Sequence, residues 1–272
     1  MPTVMLCPQD ALPRPLISHI ARLARDSAAP LPASFFEPPS SSLASKAIEY
    51  VESTLPLWAV NHSFRTYAFA LSVAHYAGWD KGEAAARLGF DREAIFLACF
   101  LHEIGFEQHK RPTTRLSIEF WIAIKAREWI LSQEPSDPGS ADSLAGYADD
   151  AFEAIALHTI EPTMSSGRAR FVPALCALGA NQDLLGGLTA FIHKDTVENI
   201  ISRWPRNGYI DGLADVALTE VSRKPGCLFE ACLEDFIKPM YLVACFMGKQ
   251  GVLDHDKRDL DGDGDAKVDL TR

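Results

Sequence analysis

The chain has 272 residues, 47% of them hydrophobic, with a formal net charge of −10 and a pI near 5.3. That length supports one large core, and the acidic balance speaks against nucleic acid as a partner, because phosphate contacts need clusters of Lys and Arg that this sequence lacks. No run reaches the roughly 18 uninterrupted apolar residues of a spanning helix, and MPTVMLCPQDALPR lacks the basic-then-apolar order of a secretory signal, so a cytoplasmic protein without a membrane partner is expected.

Six cysteines (Cys7, Cys99, Cys176, Cys227, Cys232, Cys245) are scattered without CxxC spacing and read as reduced, mostly structural residues. Residues 1–42 carry Pro at 8, 13, 15, 30, 32, 38 and 39 and end in PPSSS, so they read as an N-terminal arm with only a short helix around ISHIARLAR.

From Ser42 onward helical patterns follow one another. Asn61 is expected to open NHSFRTYAFALSVAHYA, Asp91 to open DREAIFLACFLHEIG and Thr113 to open TTRLSIEFWIAIKAREWI, with Gly78 and Gly105 closing the first two. Further helices are expected over Tyr147 to His158, Phe171 to Leu185, Lys194 to Arg203, Tyr209 to Ser222 and Leu228 to Met247. No stretch sustains the two-residue alternation of a strand, so the fold class is all-α, with the helical domain over 43–248.

The end, DHDKRDLDGDGDAKVDLTR, sets Asp259, Asp261, Asp263 and Gly264 at calcium-loop offsets, but Leu270 stands where the bidentate Glu belongs. Residues 249–272 therefore read as a disordered acidic tail.

Four segments carry ligand-type residues on otherwise apolar helices: His62 in NHSFR, His102 and Glu103 in LACFLHEIGF, His158 in AIALHT and Asp183 in GANQDLLG. His102 continues the stripe of Ile95, Ala98 and Cys99, and Glu103 is offset by one step of about 100°. Asp183 continues Val172, Cys176 and Gly179, whose small members let another helix approach. Singly, each is more often a satisfied core residue. Together, each would carry a desolvation cost unless they met, and a shared metal removes most of it. His62, His102, Glu103 and Asp183 form the expected metal set; His158 and Glu103 are the catalytic candidates. Imidazoles with carboxylates suit zinc, with iron or manganese next, better than calcium. Phe64, Phe96, Phe106, Phe120 and Trp121 are candidate cavity walls.

These residues resemble the HD superfamily of metal-dependent enzymes, and within it the fungal cyanamide hydratase family, through NHSFRTYAFA, LHEIG, LSIEFW, the His and SSG stretch before Asp183, and IHKDTVENIISRWPRNGY. The resemblance runs from about residue 42 to about residue 240. It implies a compact HD-like bundle of helices and a homodimer. The implied activity is water addition to a small nitrile-like C≡N substrate through a metal-bound hydroxide, with His158 protonating the developing nitrogen anion or orienting the substrate.

Two departures stand out. The family's His-Asp pair is His102-Glu103 here, and its Arg-His-Gln-Asp stretch is Leu157-His158-Thr159-Ile160. They leave open a different reaction on a small apolar metabolite, by acid/base chemistry without metal, and the superfamily resemblance leaves open phosphohydrolase action, for which Lys110, Arg111 and Arg115 would supply phosphate contacts.

Overall fold

The structure, a computed structural model, describes residues 29–106, 114–134, 141–159, 170–186 and 192–232. After a 3-10 turn at Ala33–Phe36 come α1 (Ser42–Thr54), α2 (Leu57–Tyr76), α3 (Gly82–Leu88), α4 (Arg92–Leu101) and α5 (Ile118–Leu131). Then follow α6 (Ala141–Leu157), α7 (Phe171–Leu185), α8 (Lys194–Arg203), α9 (Tyr209–Arg223) and α10 (Phe229–Cys232). The described residues contain no strand, as expected of an all-α chain, and none of their helices is long and apolar enough to cross a membrane.

Local chemistry explains most helix ends. Asp91 caps α4 by accepting from Glu93 N and Ala94 N at 2.8 and 3.2 Å, as expected. Ser41 caps α1 through Ala44 N, and His193 caps α8 through Asp195 N. Gly78, at φ +71°, follows α2, and Trp79 N donates back to Ala74 O at 2.8 Å, so the left-handed position after the helix takes glycine.

Four expected boundaries are corrected, the simplest being α6, which begins at Ala141 and not at Tyr147. Asn61 does not open α2: the helix begins a turn earlier, after Pro56, whose φ of −65° suits a helix entrance, and the Asn61 amide instead donates to Pro205 O. Gly105 does not close α4, which ends at Leu101. Its missing side chain lets α5 come close, since a Cβ there would strike Ile122 and Trp121. The helix expected from Thr113 starts at Ile118 behind Ser117.

The α2 and α7 helices pack most extensively across the chain, and the contact is close because Gly179 has no side chain: a Cβ there would land on the Thr66 carbonyl. Helices α4 and α6 complete the central layer, α5 lies on α6, α1 on α4, and α8 and α9 flank α2. Phe96, Phe100, Leu71, Leu97 and Leu175 fill the centre, each contributing roughly 1.5–3 kcal/mol by leaving water. Residues 29–41 run beside α8 and α4: Leu31 N donates to Thr196 Oγ1 at 2.9 Å and Arg92 to Phe35 O at 2.7 Å. The helix around ISHIARLAR, most of the one from Leu228, and the tail with Asp259, Asp261, Asp263, Gly264 and Leu270 lie outside the described residues.

Candidate metal centre

Helix α2 carries His62 and, one turn on, Arg65, so both face the same neighbour, α7. There the Asp183 carboxylate meets both. Arg65 donates from Nε to Oδ1 and from a terminal nitrogen to Oδ2, each at 2.8 Å, while His62 Nδ1 lies 2.6 Å from Oδ2. Arg206 donates to the Asp183 backbone carbonyl and stands 3.7 Å from Oδ1. Burial alone would push the Asp183 carboxyl up, but Arg65, Arg206 and His62 hold it well below the usual carboxylate range.

The second half of the centre comes from the end of α4. His102 is its C-cap, and the chain turns through residues 102–106, so His102 and Glu103 both point inward although neighbours on a continuing helix would diverge by about 100°. His102 Nδ1 is 2.6 Å from Cys99 O. A carbonyl and a carboxylate can only accept, so in the neutral rings of His102 and His62 the proton sits on Nδ1 and Nε2 keeps its lone pair.

Those two Nε2 atoms face each other at 3.1 Å, and Glu103 Oε1 lies 3.2 Å from one and 3.5 Å from the other. Ligands about 2.0–2.2 Å from one ion are separated by about 3.0–3.4 Å in octahedral or tetrahedral arrangements. The three donors are therefore spaced as ligands of a single divalent ion, and buried lone pairs pressed together this closely repel one another unless a metal ion or a shared proton lies between them. Glu103 Oε2 is buried with no partner. Burial pushes the Glu103 carboxyl up to about 7, against the His62 contact, and pushes His102 down to about 4, against the Cys99 bond and the Asp183 charge.

His158 stands just beyond α6, its ring edge-on to His102 with centroids 5.2 Å apart. Its Nδ1 is 2.8 Å from Ile155 O, so the neutral ring carries its proton on Nδ1 and Nε2 is an acceptor. Burial first, then proximity to His102 and His62, pushes its pKa down to about 3.

The structure thus gathers His62, His102 and Glu103 into one donor set, places Asp183 behind His62 on its other nitrogen, and puts His158 beside the set. A small cavity of about 40 Å³ reaches His62, Glu103 and His158. Its apolar wall is made by Leu184, Tyr209, Leu213 and Phe229, which corrects the expected aromatic walls. Phe96 packs on Phe100 and Tyr67, Phe64 stacks on Trp204, Phe106 and Trp121 do not reach the cavity, and Phe120 is exposed.

Arg65, Arg206, Tyr209, Thr159 and Asn181 join the site without being among the residues expected there. Arg65 did have a signal, a lone cation in the apolar run LWAVNHSFRTYAFALSVAHY. The stacking of Tyr209 on His62 at 4.6 Å has no counterpart in local pattern.

No family model matches the chain. Over 212 residues, 77% of this chain and 86% of the relative, it is 28% identical to cyanamide hydratase DDI2 of Saccharomyces cerevisiae (strain ATCC 204508 / S288c). Cyanamide hydratase DDI3 of the same strain matches with the same identity and coverage. The chain is similar, over most of its length, to the cyanamide hydratases of this yeast.

Proposed function

We propose that this chain is a metal-dependent hydratase that adds water across the C≡N bond of a small nitrile- or cyanamide-like molecule. The observation that carries the reading is the convergence of His62 Nε2, His102 Nε2 and Glu103 Oε1 within 3.1 to 3.5 Å of one another. Similarity to two cyanamide hydratases supports the choice of reaction. These three residues would hold the ion, zinc first and iron or manganese next by ligand type, while Asp183 fixes the His62 tautomer from behind. A divalent ion supplies Lewis acidity there and makes water acidic enough to lose a proton near neutrality.

The chain's own groups handle the protons. Water forms the new C–O bond, His158 Nε2 takes one of its protons, and the same nitrogen returns that proton to the substrate nitrogen as the C≡N bond order falls. The remaining O–H proton then moves to nitrogen, giving an amide or, from cyanamide, urea. A pKa pushed down to about 3 makes protonated His158 a ready donor, so it holds the proton only briefly. Leu184, Leu213 and Phe229 give the cavity an apolar side.

Phosphohydrolase action lacks cations for the phosphate among the described residues. None of those lining the cavity is Lys or Arg, Arg115 is exposed, and Arg65 and Arg206 are committed to Asp183. Lys110 and Arg111 lie outside the described residues. The test is urea formation from cyanamide by zinc-loaded protein beside His102→Ala, with metal measured in both. Turnover that tracks bound metal is expected; metal bound without turnover of cyanamide or of any small nitrile sinks the reaction assignment.

A further inference from the structure

One side of the cavity shows a hydrogen-bond polarity that the metal donors do not explain. Thr159, next after His158, lines the cavity, and its hydroxyl proton is already committed: Oγ1 donates to Glu119 Oε1 at 3.2 Å. Glu119 stands in the first turn of α5, 2% exposed, with Oε2 unpartnered. An ionised carboxylate has no proton to give back, so the Thr159 oxygen retains only lone pairs for a ligand.

Asn181 repeats the pattern. Its Nδ2 donates to Ala177 O at 2.8 Å and reaches His158 O at 3.5 Å, so the backbone takes up its donors and this cavity-lining residue has only the acceptor Oδ1 to offer a ligand. His158 adds a third acceptor, since its proton is on the Nδ1 that meets Ile155 O. A ligand that covers these half-buried acceptors with only C–H groups displaces water from them and leaves them unpaired, which costs binding; one offering N–H groups satisfies them.

We propose that Thr159 is a specificity-determining residue and Glu119 its positioning residue: the Glu119 carboxylate draws the Thr159 hydroxyl proton out of the cavity, so the site selects small molecules with an N–H donor beside the electrophilic carbon over isosteres with a C–H there. This rests on the proposed hydration chemistry for the electrophilic carbon, while the polarity of the wall stands on the hydrogen bonds alone.

Cyanamide and acetonitrile make the test, because they differ only in an amino group for a methyl group. Urea and acetamide differ in the same way and report binding without turnover. Measurements belong at pH 8, where Glu119, whose carboxyl is pushed up to about 7 chiefly by burial, is ionised.

The wild-type kcat/KM ratio of cyanamide to acetonitrile is expected to exceed that of Thr159→Val by about tenfold, a typical hydrogen-bond contribution. Thr159→Ser restores the ratio. Glu119→Leu lowers it as Thr159→Val does, and the double variant loses no more, because Glu119 acts through Thr159. A loss of packing alone would lower both substrates together and leave the ratio in place.

NMR titration with urea and acetamide separates the two readings. Urea preferred by the wild type but not by Thr159→Val, with no nitrile turned over, supports the acceptor wall and discards the hydration chemistry. Ratios unchanged in both single variants, or equal affinity of the wild type for urea and acetamide, overturn the inference; additive losses in the double variant overturn the role of Glu119.

Discussion

His62 and His102 confront each other through Nε2 atoms 3.1 Å apart, each with its Nδ1 proton already given to an acceptor, Asp183 for one and the Cys99 carbonyl for the other. The arrangement is satisfied by a cation between the rings or by a proton shared between them, and the two have different consequences. With a metal, zinc at about a hundred times its dissociation constant adds about 2.7 kcal/mol to unfolding. The wild type should therefore show a raised Tm on zinc addition and a lowered one on chelation, and His102→Ala neither. A wild-type Tm indifferent to zinc, iron and manganese would identify the proton as the occupant.

Asp183 links this centre to the packing of the bundle. Asp183→Asn removes the obligate acceptor behind His62 and leaves Arg65, which is fully buried, without its charge partner. Breaking a buried pair in this way costs about 3–5 kcal/mol, and loss of such an outer partner weakens metal binding about 10- to 100-fold. Urea unfolding and metal titration should each register the change. A variant that keeps full metal affinity would show that Asp183 does not set the His62 tautomer.

The donors were legible because each interrupts an apolar helix: polar residues at His62, His102, Glu103 and Asp183 are conspicuous where their neighbours are Leu, Ala, Phe and Cys. The bounds of α7 and α8 were legible for the same reason, since periodicity and breaker residues agree there. What could not be read is which side of an imidazole a carboxylate takes. Spacing marks Asp183 as inward, and only the crossing of α2 and α7 shows it on Nδ1 with Arg65. The cavity walls are not legible in aromatic spacing, because a stripe such as Phe96 and Phe100 faces whichever neighbour packs on it, and here that is the core. Asn61 looked like a cap because its own chemistry suits one, while Pro56 had already set the helix entrance.

The closeness of α2 and α7 rests on Gly179. Replacing it by Ala forces Cβ against the Thr66 carbonyl, so the helices must separate near His62 and Asp183. Overpacking of this kind costs about 1–3 kcal/mol. Gly146→Ala is the control: it lies exposed within α6, a Cβ there meets nothing within 4 Å, and helix propensity alone should stabilise by about 1 kcal/mol. Thermal unfolding should move in opposite directions for the two. Equal shifts would mean that the α2–α7 contact is not limited by Gly179.

Glu119 makes stability depend on pH. Its carboxyl is raised from 4.5 to about 7, chiefly by burial, with Glu220 and Glu103 adding like charge against the Thr159 bond. The folded protein therefore binds this proton more tightly than the unfolded chain does. The group costs nothing below pH 4.5, its cost grows as pH rises between 4.5 and 7, and it levels off above pH 7 at about 3 kcal/mol. Glu119→Gln, which cannot ionise, should gain stability relative to wild type at pH 8 and show little difference at pH 4.5. Urea unfolding at both values reads this directly, and a gain of equal size at each pH would assign it to packing.

Glu103 bears on how far this chain has moved from the His-Asp pattern it resembles. Its Oε1 already lies 3.2 and 3.5 Å from the two imidazole nitrogens, so the longer side chain reaches the position that completes the donor set. Shortening it in Glu103→Asp draws the carboxylate back by about one C–C bond, roughly 1.5 Å, and an ångström of misplacement at a reacting centre costs about a hundredfold in rate. Glu103→Asp is therefore expected to bind metal more weakly and to lose turnover, whereas Glu103→Gln keeps the reach and removes the charge. Metal affinity and kcat measured for both separate reach from charge. Improved metal binding in Glu103→Asp would show that the backbone after His102 still accommodates the shorter acid, and that glutamate holds the position without being required by its geometry.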